Sequence, residues 1–268
     1  MIIKQAFKVT KDNIILAQPL VLYLVVVSLT SAGLSRVPAS PVFWVFFGAN
    51  ILLSTAFFAG WFYMCAKTVE HEKTEYKSPE EKSIASVKLI KNFFPGVGEY
   101  FLSVTSAILL YTGIFAIILY LAFKAGTHFI PNPYINFAKI IAAQTPAQMQ
   151  DYIMTLTPVQ IKLLNLWFMY MGGVSFVYTF LTMFWFPALI FDTKNPFSAF
   201  WKNLKFIFKN FFGALGIVAY LYFMNFIVSA INAVSGVNIV LSIISLVVTF
   251  YFMTYCIVLI FLYYGEKR

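Results

Sequence analysis

Six long apolar runs leave this chain few ways to fold: Ile14 to Leu34, Val42 to Ala66, Val97 to Phe123, Leu163 to Phe191, Phe211 to Val234 and Ile239 to Tyr264. Each reaches the roughly 20 residues that cross about 30 Å of hydrocarbon at 1.5 Å per residue. Inside hydrocarbon every backbone N–H and C=O needs a partner from the protein itself, so only helices and closed barrels cross. Barrel strands alternate apolar and polar residues in short segments. These runs are continuous, and the expected class is all-α: a polytopic bundle of six transmembrane helices. With 61% of residues hydrophobic and 11% charged, the chain has too little polar surface for a soluble domain, which is about 25% charged.

The formal charge of +9 is spread between the apolar runs, without the dense basic patch or stacking motifs that nucleic acid requires. No nucleic-acid partner is expected, and the charge reads as topology. With the N-terminus inside, the inner segments hold Lys4, Lys8, Lys11, Lys67, Lys73, Lys77, Lys82, Lys88, Lys91, Lys194, Lys202, Lys205, Lys209, Lys267 and Arg268, which is 15 of the 19 Lys and Arg. The outer loops hold Arg36, Lys124, Lys139 and Lys162. Positive charge is retained on the cytoplasmic side. The expectation is a cell-membrane protein with both termini cytoplasmic, and with the first apolar run kept as a span instead of being cleaved as a signal.

The segments ahead of alternate spans resemble one another: IKQAFKVTKDNIILAQP, IASVKLIKNFFPGVG and FSAFWKNLKFIFKNFFGALG. Asn13, Asn92 and Asn210 occupy equivalent places, and Lys-Asn-Phe-Phe recurs at Lys91 to Phe94 and Lys209 to Phe212. Three hairpin units follow, about 1-80, 81-192 and 193-268, each opened by a basic amphipathic helix at the membrane interface. The middle unit carries an extracytoplasmic helical insertion, about 125-160. Within it, Thr145-Pro146-Ala147-Gln148 and Thr157-Pro158-Val159-Gln160 each offer a capping box with proline in the first turn.

The third interfacial segment is the clearest. Phe197, Phe200, Trp201, Leu204 and Phe208 recur at helical spacing, with Lys202, Lys205 and Lys209 mainly on another face. The expected partners are membrane lipids, with anionic headgroups at the cytoplasmic face meeting those lysines.

Chemistry is sparse. Cys65 and Cys256 have no spacing partners, and His71 and His128 fall on opposite expected sides, so neither a disulfide nor a shared metal centre is indicated. HExxH, GxSxG and phosphate-cradling glycine loops are absent from the sequence. The expectation is a non-enzyme without a cofactor or metal. Candidates for a polar cavity are Asn50, Asn225, Asn232 and Glu99. Asn225 and Asn232 are seven apart and share a helix face, which makes them the best pair. The other reading of the asparagines is hydrogen bonding between helices. Glu99 reads either as a headgroup or cation ligand beside Pro95, Gly96 and Gly98, or as a snorkelling carboxylate near Lys91. Gly172 and Gly173 read as sites of close helix packing.

Ala6 to Asn13, Phe186-Pro187-Ala188-Leu189-Ile190-Phe191-Asp192 and Phe197 to Asn210 together resemble a loose bacterial superfamily of uncharacterised six-helix membrane proteins. It includes the membrane domains attached to some glycerophosphodiester phosphodiesterases. The resemblance implies the six-helix fold but no catalytic residue, since that chemistry belongs to a separate soluble domain. Two functional classes fit: a membrane scaffold or accessory protein acting through lipid and protein contacts, with a membrane-protein partner, or a permease or transporter subunit for a neutral or lipidic substrate.

Overall fold

The protein, seen in a computed structural model, is described over residues 2–34, 41–72, 74, 79–134, 146–235 and 238–268. Arg36, Lys73, Lys77, Lys139 and Thr145 lie outside the described residues. The elements are α1 (Ile2–Asp12), a 3-10 turn (Ile14–Leu16), α2 (Ala17–Leu34), α3 (Pro41–Glu72), α4 (Pro79–Lys88), a second 3-10 turn (Leu89–Asn92), α5 (Phe93–Phe129), α6 (Pro146–Met154), α7 (Pro158–Thr182), α8 (Trp185–Phe191), α9 (Pro196–Lys209), α10 (Phe211–Ser235) and α11 (Ile239–Lys267). Among the described residues six helical stretches are long and apolar enough to cross a membrane: Ile14–Ser31, Pro41–Glu72, Ser83–Phe129, Pro158–Phe191, Phe211–Val234 and Ile239–Lys267. No strand occurs among the described residues. The chain is an all-helical, multi-pass membrane protein.

Two compact units are present, Met1–Leu110 with Leu181–Arg268, and Tyr111–Phe180. In the first, the core gathers at one end of the long helices. Trp61, Phe62, Met64 and Cys65 of α3, Trp185 and Leu189 of α8, and Phe261, Leu262 and Tyr264 of α11 are buried there. At the other end Trp44 and Val45 of α3 and Ile239 and Val247 of α11 are exposed by the protein, which is the surface that hydrocarbon can cover at no solvation cost.

The three basic segments enter this core in a common register. Counting back from Asn13, Asn92 and Asn210, the third position is buried each time, as Thr10, Leu89 and Ile207. Counting forward, the fourth position is small: Ala17, Gly96 and Ala214. Asn13 and Asn210 end their helices in nearly the same backbone conformation, φ −123 ψ 45 and φ −117 ψ 30. Each turns its amide back to a carbonyl one turn earlier, Asn13 Nδ2 donating to Val9 at 2.9 Å and Asn210 Nδ2 to Phe206 at 3.1 Å. Each carbonyl also accepts the asparagine's own backbone N–H, at 3.0 Å and 2.9 Å, so the side-chain amide adds a second bond at the helix end. Asn92 differs, since it lies inside its 3-10 turn instead of following a helix end.

Close approach fixes these entries. A Cβ on Gly60 would stand 2.8 Å from the Phe93 carbonyl oxygen, and one on Gly96 would stand 2.6 Å from Tyr63 Cβ. Trp61 Nε1 donates to the Leu16 carbonyl at 2.8 Å. On the far side of the core α1 packs along α11. There Tyr255 and Tyr251 donate to the Ile3 and Phe7 carbonyls, each at 3.4 Å.

In the second unit Tyr178 donates to the Tyr111 carbonyl at 2.6 Å and Tyr170 to that of Ala122 at 3.0 Å. Gly126 lets Trp167 approach, for a Cβ there would lie 2.7 Å from the indole. Gly172 and Gly173, expected to mediate packing, face open space. Their role within the chain is thus corrected, and Gly60, Gly96 and Gly126 hold it. At the start of α7 the Thr157 N–H donates to Gln160 Oε1 at 3.0 Å and the Gln160 N–H to Thr157 Oγ1 at 3.3 Å, a reciprocal capping box.

Candidate functional site

The run from Leu163 to Phe191, read from sequence as one helix, is interrupted at Met183 and Phe184. Pro187 causes this: it has no N–H to give the Met183 carbonyl, and its ring crowds that carbonyl. The break leaves backbone groups in need of partners, and α9 supplies them. Asn203, fully buried, accepts from the Phe184 N–H at 3.0 Å and donates from Nδ2 to the Leu181 carbonyl at 2.7 Å. Trp185 Nε1 donates to the Pro196 carbonyl at 2.9 Å, and the Asn195 side chain caps α9 by accepting from the Phe197 and Ser198 N–H groups. Sequence reasoning missed Asn203. The available signal was an uncharged amide in line with Ala199, Phe206 and Ile207, opposite a proline-broken span.

At 3.6 residues per turn, α9 therefore has three faces where two were expected. Ala199, Asn203, Phe206 and Ile207 are buried against the protein. About a third of a turn away, Phe197, Trp201 and Phe208 are exposed, with Phe200 and Leu204 part-covered. A third of a turn further, Lys202, Lys205 and Lys209 form the basic face.

That basic face meets the end of α11 around Asp192. Tyr264 donates to Asp192 Oδ2 at 2.5 Å, and Arg268 Nη1 reaches Asp192 Oδ1 at 3.1 Å and the Phe191 carbonyl at 3.2 Å. The guanidinium stacks 4.5 Å above the Phe191 ring, and Lys202 Nζ donates to the Asp192 carbonyl at 3.1 Å. Between these groups lies a recess of about 230 Å³ lined by Asp192, Lys202, Lys205, Phe206, Lys209, Tyr264, Lys267 and Arg268. Five cationic side chains thus surround one carboxylate.

The four polar-cavity candidates do not converge. Asn50 Oδ1 accepts from Thr30 Oγ1 at 2.7 Å and its amide donates to the Phe46 carbonyl at 3.0 Å, tying α2 to α3. Asn232 Oδ1 accepts from the Ser245 hydroxyl and, at 3.3 Å, from Thr249, tying α10 to α11. Asn225 instead lines a separate recess of about 300 Å³ with Leu221, Tyr222, Phe252 and Cys256. The expected pairing of Asn225 with Asn232 in one cavity is corrected: α11 supplies hydroxyls at one amide and Phe252 and Cys256 at the other. Glu99 meets Lys194 at 3.0 Å, so its ion-pair partner there is Lys194 instead of Lys91. Lys194 also lies over the Tyr100 ring. Cys65 and Cys256 are unpaired thiols, and no group of three or more His, Cys, Asp or Glu able to hold a metal occurs among the described residues.

Comparison with protein families, with curated proteins and with solved structures gives no match for this chain.

Proposed function

We propose that this multi-pass membrane protein is a non-enzymatic scaffold or accessory protein of the cell membrane, with both termini cytoplasmic, acting through lipid and protein contacts. The observation that supports this is where the in-span amides go. Asn50 and Asn232 bond to side chains of neighbouring helices, which is how a bundle uses polar residues for cohesion. The exposed aromatic face of α9 and its lysines fit a lipid surface. The span ending in Pro187, the acidic turn at Asp192 and the basic helix that follows are the residues on which kinship with the six-helix superfamily rests, and that kinship belongs to the same proposal.

The recess at Asn225 favours the second reading, a permease or transporter subunit for a neutral or lipidic substrate. Asn225→Leu separates the two. The scaffold reading expects the purified wild-type chain in proteoliposomes to pass neither small solutes nor labelled phospholipid above the rate of empty vesicles. A flux present in wild type and abolished by Asn225→Leu overturns it in favour of the permease.

Orientation has its own test, in a background carrying Cys65→Ala and Cys256→Ala. An impermeant maleimide applied to intact cells is expected to label Gln148→Cys and to spare Glu80→Cys until the membrane is opened. The reverse pattern would invert the topology.

A further inference from the structure

The recess between α9 and the end of α11 has a charge pattern that its own contacts do not exhaust. Arg268 is engaged by Asp192 and Phe191, and Lys202 by the Asp192 carbonyl. Lys205, Lys209 and Lys267 are exposed and have no carboxylate partner among the described residues. Three ammonium groups therefore converge on one hollow whose single carboxylate, Asp192, is already engaged by Tyr264 and Arg268. Glu266, the acid next to them in sequence, does not line it. The floor is rigid: Phe206 and Tyr264 are buried with ring centroids 4.5 Å apart. Asp192 fixes Tyr264 and Arg268 and leaves the mouth to the lysines.

We infer that this recess binds a phosphate-bearing anion, and that its occupant is the phosphomonoester headgroup of a membrane phospholipid. Three observations select that chemistry. The cationic surplus favours a group of charge near −2, which a phosphomonoester reaches around neutral pH and a phosphodiester does not. A volume of about 230 Å³ is smaller than the roughly 300–1,000 Å³ of sites for larger ligands, so it suits a bare phosphate more than a sugar-bearing headgroup. The exposed Trp201 and Phe208 stand about a quarter of a turn from the lysines on the same helix, so acyl chains can lie along the aromatic face while the phosphate enters the basic one.

The inference rests on the reading that α9 meets lipid headgroups, but not on which side of the membrane it does so. It is therefore tested on the intact chain in detergent, by native mass spectrometry with added phosphatidic acid, phosphatidylglycerol or phosphatidylcholine, and with glycerol 3-phosphate as the soluble phosphate ester. Phosphatidic acid is expected to be retained over the other two lipids and not to be displaced by glycerol 3-phosphate. The triple variant Lys205→Gln, Lys209→Gln, Lys267→Gln is expected to weaken that retention at least about tenfold, whereas Lys4→Gln, Lys8→Gln, Lys11→Gln, which removes equal charge from α1, changes it less than about twofold. Equal losses in the two triple variants would mean diffuse attraction and overturn the site. Equal retention of phosphatidylglycerol overturns the phosphomonoester assignment, and displacement by glycerol 3-phosphate overturns the lipid as occupant. If the triple Gln variant fails to fold, Lys205→Gln alone must still weaken retention and Lys205→Arg must restore it; failure of either overturns the proposal. Inverted cysteine labelling would leave this result standing, and loss of lipid retention would leave the topology standing.

Discussion

Asn203→Ala is expected to destabilise the protein by about 1 to 3 kcal/mol or more, because it strands the buried Phe184 N–H, at roughly 1 to 3 kcal/mol, and also frees the part-buried Leu181 carbonyl. The Phe184 N–H and the Leu181 carbonyl lie at the break in the fourth span, where Pro187 prevents the helix from closing over them. Water that would rescue such groups in a soluble protein is scarce inside a bilayer. Thermal unfolding followed by size-exclusion chromatography in mild detergent measures the effect, and Asn225→Leu is the comparison. Asn225 is exposed by the protein, so its replacement is expected to change stability by less than about 0.5 kcal/mol. A wild-type melting curve for Asn203→Ala would show that the break finds its partners elsewhere.

The second large effect is expected at Gly60. A methyl group there meets the Phe93 ring and, at 2.8 Å, its backbone carbonyl oxygen. The ring can rotate away but the carbonyl belongs to the start of α5 and cannot. Overpacking of this kind costs about 1 to 3 kcal/mol, against a gain of about 1 kcal/mol in helix propensity when glycine becomes alanine. Gly173→Ala collects that gain without the clash, since open space surrounds it. The two variants should therefore move the melting temperature in opposite directions. Equal shifts would mean that α3 and the start of α5 are not held as close as described.

The six spans were legible because hydrocarbon imposes them: length and continuity of apolar residues suffice, and both are local properties of sequence. The box at Thr157 and Gln160 was readable for the same reason, since its partners lie within three residues. What escaped depends on residues far apart in the chain. Glu99 found Lys194, 95 positions later, although Lys91 lay closer in sequence. Whether a glycine mediates packing depends on which helix faces it, so Gly172 and Gly173 could not be told from Gly60. The candidate site shows the same division. The lysines of α9 stood out by periodicity, but Tyr264, Lys267 and Arg268 join them only because the last helix ends at the same turn as Asp192. Pro187 sits inside a run read as one helix, and nothing local to it named Asn203 as the residue that bridges the break.

The packing of α1 along α11 sets a timetable for biosynthesis. The tyrosines that receive α1 follow their partners by 244 and 252 residues. At roughly 5 to 20 residues per second, that is a delay of about 10 to 50 s. During that interval Ala6, Val9 and Thr10 lack the α11 surface against which α1 packs in the finished fold. The arrival of the last helix is thus also the event that gives the first its partner and closes the fold.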